Sequence, residues 1–92
     1  MNKSQLIAEL SERLGLTQRK AEMVVNTIFN SMGDALIQLD RIEIRGFGSF
    51  VVKHYEPYTG RNPKTGEKIA VNSKKLPFFK VGKDIKNRIN SE

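Results

Sequence analysis

The chain has 92 residues, 38% of them hydrophobic and 28% charged, which predicts one globular domain and excludes a membrane-spanning or plainly disordered chain. Sixteen lysines and arginines against ten acidic residues give a net charge of +6, which favours nucleic acid or an acidic membrane surface as a partner. The absence of cysteine excludes a disulfide scaffold and a thiolate nucleophile, and the single histidine, His54, argues against a metal site or a catalytic triad. The first ten residues hold no apolar run long enough for a signal peptide, so we expect a cytoplasmic protein without a cofactor.

Two helices are predicted in the first 40 residues. Asn2 is a candidate N-cap for a helix over residues 3–14, and Gly15 follows its last apolar position, where a left-handed C-cap favours glycine. Thr17 can cap a second helix, whose apolar stripe continues over about five turns. The stripe consists of Ala21, Val24, Val25, Ile28, Met32, Ala35, Leu36 and Leu39, and Phe29 widens it.

An alternating pattern begins at Arg41 and predicts strands. Ile42 and Ile44 alternate with charged residues, and a second alternating segment follows the turn at residues 46–48, which is typical of a β-hairpin. Residues 76–79 are predicted to return to this sheet as a short strand, and Gly82 precedes a short final helix.

Residues 54–75 have a different composition, with two glycines, two prolines and five lysines or arginines. Turn signals cluster at residues 60–66 between two strand-capable segments, which predicts a β-ribbon arm that protrudes from the body. A disordered linker is the alternative. Together the patterns predict an α+β fold in one domain, 1–92, with a helical dimerisation body over 1–40, a three-stranded antiparallel sheet over 41–81 that carries the arm, and a C-terminal helix over 82–92.

The predicted elements do not supply enough surface to bury the helical stripe and all five phenylalanines. We therefore expect a two-fold dimer that pairs the same face of each subunit. The predicted dimer core consists of Phe29, Phe47, Phe50 and Phe79.

The positive charge is concentrated in the second part of the chain. Residues 1–40 carry a net charge of −1 and residues 41–92 a net charge of +7, so the second part is expected to meet the partner. Phosphates need cations spaced along their backbone, and a narrow ribbon can follow a groove of duplex DNA. The cations of the arm are Arg61, Lys64 and Lys68 near its tip, and Lys53, Lys74 and Lys75 at its base.

Pro63 at the arm tip has two interpretations. In one it fixes a turn, because its ring sets the backbone angle φ. In the other it is a rigid apolar wedge that enters between base pairs from the minor groove and kinks the duplex. The sequence shows no nucleotide-binding glycine loop, and His54 is the only histidine that could activate a serine nucleophile. We therefore expect a protein that is not an enzyme.

Three motifs together resemble the HU/integration host factor family of bacterial DNA-architectural proteins, and the resemblance covers essentially the whole chain. These motifs are GFGSF at 46–50, GRNPKTG at 60–66 and PFFKVGK at 77–83. The resemblance implies an intertwined dimer whose two arms wrap DNA and intercalate a proline from each tip, so the wedge interpretation of Pro63 is not independent of it. The DNA-contacting residues that it implies, besides those of the arm, are Lys3, Ser4, Gly46, Gly48, Lys80, Lys83 and Lys86, with Arg61 and Asn62 in the minor groove beside Pro63.

Residues 41–48, RIEIRGFG, look more like the beta-subunit branch of integration host factor than like typical HU. In that branch the arginine matching Arg45, oriented by the acid matching Glu43, helps to recognise a preferred sequence. An exposed salt bridge of little energetic value is the alternative. The chain also departs from many HU proteins, because Tyr55 and Tyr58 stand where those proteins have arginines, and Glu56 adds an acid at the arm base.

The function that the resemblance implies is that of a nucleoid-associated protein that binds duplex DNA through the minor groove and bends it, HU-like, with little sequence specificity. The alternative is a sequence-preferring subunit like integration host factor, acting in recombination, replication and transcription. More distant alternatives are an RNA-binding basic protein and a basic module for acidic membranes. The dimer can be homotypic or can need a related second subunit.

Overall fold

The computed structural model describes residues 1–91, so residue 92, the last of the predicted C-terminal segment, lies outside the described residues. The order of elements in this part of the chain is two helices, five strands and a third helix. They are α1 (Lys3–Leu14), α2 (Gln18–Ile37), β1 (Ile42–Ile44), β2 (Gly48–Tyr55), β3 (Tyr58–Arg61), β4 (Lys68–Val71), β5 (Lys74–Val81) and α3 (Lys83–Ile89).

The caps of the first two helices are those that the sequence predicts. The Asn2 side chain accepts a hydrogen bond from the backbone N–H of Gln5 (2.8 Å), and the Gln5 side chain accepts one from the backbone N–H of Asn2 (2.9 Å). This reciprocal capping box fixes the start of α1. Gly15 has a φ of 62° and ends α1 in the left-handed conformation, and the Thr17 hydroxyl accepts from the backbone N–H of Lys20 to start α2.

The second helix ends earlier than its apolar stripe does. α2 stops at Ile37, whereas the stripe continues to Leu39, which has a φ of 62°. The backbone N–H of Asp40 donates to the carbonyl of Ala35 (2.9 Å), a closure typical of helix ends with a left-handed residue. Leu39 therefore reverses the chain toward β1 instead of adding another turn of helix.

A three-stranded antiparallel sheet has the order β1-β2-β5. The hairpin between β1 and β2 is confirmed, with Ile42 opposite Phe50 and Ile44 opposite Gly48. The returning strand is longer than predicted, because β5 pairs with β2 over eight residues, from Gly48–Val81 to Tyr55–Lys74. The arm base that the sequence places in the ribbon is therefore continuous with the sheet of the body.

A separate two-stranded sheet, β3 with β4, forms the arm. Residues 56–57 and 72–73 separate it from the body sheet, and Pro57 has no N–H to donate to a ladder there. The Cα radius of gyration is 19.0 Å and the longest dimension 58 Å. A compact chain of this length has a radius of gyration of about 12 Å. The predicted protruding ribbon thus accounts for the elongated shape.

The buried core is small. Its buried members, Ile7, Ala21 and Val25, lie where α1 packs on α2, and Leu6, Leu10 and Leu16 pack around them. Further along α2, Ile28 is 51% exposed and Phe29 49% exposed. A single protomer leaves this stripe largely uncovered, as the dimer prediction requires. No helix among residues 1–91 is long and apolar enough to cross a membrane.

Candidate nucleic-acid interface

The body sheet has two different faces, because side chains alternate along a strand and directly opposed residues share a face. Val52 and Pro77 line a groove together with Leu36, Ile37 and Leu39, so their face is turned toward the end of α2. We call it the inner face, and on β2 and β5 it carries Phe50, Val52, His54, Lys75, Pro77 and Phe79. The opposite side, the outer face, carries Ser49, Val51, Lys53, Tyr55, Lys74, Leu76, Phe78 and Lys80.

Three of the predicted DNA-contacting lysines share the outer face. Lys80 stands opposite Ser49, Lys53 opposite Leu76 and Lys74 opposite Tyr55. Lys75 is opposite His54 on the inner face, so the structure separates it from Lys53 and Lys74. The sequence cannot show this division, because it follows from the β2–β5 register.

The phenylalanines divide in the same way. Phe79 lies between Phe47 and Phe50, with ring centroids 5.5 and 4.8 Å away. Phe47 and Phe79 remain 42% and 40% exposed in one protomer. Phe78 is opposite Val51 on the outer face and 38% exposed, so it lies on the other side of the sheet from Phe50 and Phe79, and the predicted dimer core does not include it.

An open groove of about 650 Å³ lies at the end of the sheet beside the β1–β2 turn. Of the predicted contact residues, it brings together Arg45, Gly46, Gly48 and Lys80. Cations and exposed backbone in one concave surface suit a phosphate chain.

The predicted ion pair between Glu43 and Arg45 is not formed within residues 1–91. Glu43 instead pairs with Arg41, with 2.8 Å between the guanidinium nitrogen and the carboxylate oxygen. Arg41 and Arg45 flank β1, and each is two residues away from Glu43 in the chain. Glu43 is paired with Arg41, and although Glu43 and Arg45 line the same groove, no ion pair joins them among the described residues.

Gly48 has a steric reason to be glycine. A Cβ atom at this position would lie 2.5 Å from the Lys80 carbonyl oxygen and 2.7 Å from the Phe79 ring. The backbone N–H of Gly82 donates to the carbonyl of Phe47 (2.8 Å), which ties the start of α3 to the same turn. Close backbone approach therefore shapes the groove.

We expect Gly48→Ala to lower the free energy of unfolding by about 1–3 kcal/mol, because neither the strand backbone nor the packed ring can move without loss. Urea denaturation measures this change. Ser49→Ala, one residue along the same strand, is the matched control and should change stability by less than about 0.5 kcal/mol. Equal denaturation midpoints for Gly48→Ala and the wild type would contradict the steric account.

The arm also has two faces. Tyr58, Gly60, Ile69 and Val71 share one of them, and a Cβ on Gly60 would lie 3.5 Å from the Tyr58 ring. The Tyr58 ring therefore covers Gly60 within the ribbon. This contact supplies packing at a position where glycine has no side chain of its own to stabilise the strand. The other face carries Thr59, Arg61, Lys68 and Ala70, so two of the predicted contact cations lie side by side on it.

The arm tip is a turn that Asn62 holds together. The Asn62 carbonyl accepts from the backbone N–H of Gly66 (2.7 Å), and its backbone N–H donates to the carbonyl of Glu67 (2.8 Å). Its side-chain oxygen accepts from the backbone N–H of Lys64 (2.9 Å). Pro63 stands exposed at the end of this braced turn, with Arg61 and Lys64 close to it in the chain.

The remaining predicted contact residues lie on helices. Lys3 and Ser4 begin α1, where the Ser4 hydroxyl donates to the Asn2 side chain (2.9 Å) and thus belongs to the cap. Lys83 and Lys86 are exposed on α3. Among residues 1–91, no group of three or more metal-ligating side chains is close enough to hold an ion.

A protein-family model described as bacterial DNA-binding protein matches residues 1–90. Two similar proteins are the integration host factor beta subunits of Dechloromonas aromatica (strain RCB) and Azoarcus sp. (strain BH72). Each is 48% identical over 91 residues, which cover 98% of this chain and 97% of the relative. The chain belongs to the HU and integration host factor family.

Two solved structures of HU share the fold. One is the cocrystal structure of Anabaena HU with DNA, with a TM-score of 0.89, 29% identity and full coverage of both chains. The other is HU from Thermotoga maritima, with a TM-score of 0.70, 26% identity and coverage of 98% of this chain and all of that chain. HU and integration host factor proteins are architectural DNA-binding proteins that form dimers, associate with the nucleoid and are not enzymes.

Proposed function

We propose that this chain bends duplex DNA by inserting Pro63 into the minor groove from the tip of each arm of a dimer. The observation that carries the proposal is the exposed proline on a turn that three hydrogen bonds of Asn62 hold in place. A wedge must be apolar, small and rigidly held, because it has to replace the stacking that it disrupts. The Anabaena HU with the same fold crystallised with DNA, which supports duplex DNA as the partner.

The arm can support this wedge electrostatically. Arg61 and Lys68 share one face of the ribbon, and Lys64 follows Pro63 directly. In this proposal Arg61 and Asn62 lie in the minor groove, and the Asn62 side chain also braces the turn, so one residue has two roles. A narrow groove concentrates negative potential, which favours cations beside the wedge.

The body adds phosphate contacts along the path to the arm. Because neutralised phosphates release counterions, each contact adds affinity without reading sequence. The residues proposed for these contacts are Lys3, Ser4, Arg45, Gly46, Gly48, Lys53, Lys74, Lys75, Lys80, Lys83 and Lys86, with Lys75 reaching DNA only from the edge of the inner face.

The dimer provides two arms related by symmetry. We place its core at Phe29, Phe47, Phe50 and Phe79, because three of these rings are 40–49% exposed in one protomer and the fourth is half-buried. Residues 1–40 then act as the dimerisation body of a single domain, 41–81 as the sheet with its arm, and 82 onward as the closing helix.

Binding with little sequence preference is the main function in this proposal, because contacts to phosphates add affinity without reading sequence. A sequence-preferring role is the second candidate. It is favoured by the 48% identity to proteins named integration host factor subunit beta. In either role the protein acts on cytoplasmic DNA.

The test is energy transfer between dyes at the two ends of a duplex of about 35 base pairs, titrated with this chain alone while anisotropy reports binding. We expect transfer to rise as the protein binds, and that result also shows a homodimer to be sufficient. Binding without a change in transfer would mean that the protein coats DNA without bending it, and the wedge role of Pro63 would be wrong. If neither signal changes, the proposed function is wrong for this chain alone, and adding a related second subunit or an RNA duplex tests the remaining alternatives.

A further inference from the structure

An aromatic ring supports one of the proposed phosphate-binding cations. The Lys53 ammonium nitrogen lies 3.6 Å from the centroid of the Phe78 ring, well within the range of a cation–π contact. Phe78 is opposite Val51, and Lys53 is opposite Leu76, so Lys53 and Phe78 are diagonal neighbours on the outer face. Diagonal neighbours on one face of an antiparallel pair are close enough for long and aromatic side chains to meet.

We propose that Phe78 is a positioning residue for DNA binding, which holds the Lys53 ammonium in place for a phosphate of the DNA backbone. This inference rests on the proposed function and adds a residue that contributes no charge of its own. Phe78 belongs to the motif at 77–83, but the motif does not relate it to Lys53, because the two residues become neighbours only through the β2–β5 register.

The advantage of a ring over a carboxylate is that it adds no negative charge beside the lysine that would repel a phosphate. Within residues 1–91, no acidic side chain comes within salt-bridge distance of Lys53. A lysine loses side-chain entropy when it is fixed on a phosphate, and a side chain already resting on a ring loses less. The ammonium can thus be ordered before DNA arrives while it keeps its full attraction for phosphate.

The surroundings of the pair suit a DNA backbone. The outer face combines Lys53, Lys74 and Lys80 with the exposed apolar groups of Leu76 and Phe78. Of the two strands, β2 and β5, neither contributes an acidic residue to this face. On such a surface the cations can contact phosphates of the DNA backbone while the apolar groups contact the sugar between them.

The test combines Phe78→Leu, Lys53→Met and the double variant, with affinity for a duplex of about 35 base pairs measured by anisotropy. We expect Phe78→Leu to weaken binding about two- to fivefold in the wild-type background, since leucine retains the apolar bulk and loses the π-face. In the Lys53→Met background the same change should weaken binding less than about 1.5-fold, because no ammonium remains to be positioned. Phe78→Tyr retains the ring and should bind like the wild type.

A second readout does not need DNA. In the NMR spectrum of the free protein, the ε-methylene protons of Lys53 should be shifted upfield by the Phe78 ring, and the shift should disappear in Phe78→Leu and persist in Phe78→Tyr. Equal weakening by Phe78→Leu in both backgrounds, no weakening at all, or no upfield shift in the wild type would overturn the inference. If the wild type binds duplex DNA and these results fail, the proposed function stands without this role for Phe78. If the wild type does not bind duplex DNA, both proposals fall.

Discussion

Pro63→Ala should bind DNA nearly as well as the wild type and bend it much less. We expect the gain in end-to-end energy transfer at saturation to fall by more than half, while Kd rises less than about tenfold, equivalent to about 1.4 kcal/mol. The reason is that phosphate contacts supply most of the affinity, whereas the wedge supplies the kink. Alanine at the same place has neither the width nor the rigidity to hold two base pairs apart.

Pro57→Ala is the matched control, because it makes the same substitution at the opposite end of the arm. Pro57 lies in the break between the body sheet and the arm, away from the Asn62 turn. Transfer efficiency with Pro57→Ala should equal that of the wild type. An unchanged bend with Pro63→Ala would contradict the wedge and leave Pro63 as a turn-forming residue.

The affinity for duplex DNA should fall roughly 10³–10⁵-fold between 50 and 200 mM salt if a dimer neutralises about six to ten phosphates. The cations of the outer face, the groove and the arm are numerous enough for such a footprint. Anisotropy titrations at several salt concentrations give the slope of log K against log salt. A much flatter slope would contradict a binding mode dominated by phosphates.

Single substitutions can locate the source of this slope. Lys68→Gln removes an arm cation from each subunit and should reduce the magnitude of the slope by about 2 in a dimer, if each lysine meets one phosphate. Lys20→Gln removes the same charge from the start of α2, outside the proposed interface, and should leave the slope unchanged. Equal effects of the two variants would assign the salt dependence to net charge rather than to the arm.

Local sequence signals predicted the elements well where the cause of structure is local. The bounds of α1 agree with the prediction, because Asn2 caps it and Gly15 ends it through backbone effects confined to a few residues. The β1–β2 hairpin agrees because period-two alternation flanks a glycine-bearing turn. The apolar stripe predicted an end of α2 two residues beyond the observed one. Leu39 fits the apolar spacing, although its left-handed backbone already lies outside the helix.

The pairing of strands and of side chains across the sheet could not be predicted from local sequence patterns. The length of β5 depends on β2, and it places the arm base in the body. Glu43 has an arginine two residues away on each side, and the family resemblance pointed to Arg45, whereas in the structure Glu43 pairs with Arg41. The sequence does not predict the contact between Tyr58 and Gly60, because the ring covers the glycine only once the ribbon has formed.

By itself the sequence determined the helices, the hairpin, the excess of positive charge after residue 41 and the proline between Arg61 and Lys64, because composition, caps and turns act over short stretches of chain. Only the tertiary structure decided which cations share a face, with Lys53, Lys74 and Lys80 on one side and Lys75 on the other. It also placed the Phe78 ring on the outer face, in contact with the Lys53 ammonium. Both outcomes have one physical cause, since a strand's side chains alternate and a shift of register by one residue would exchange the two faces.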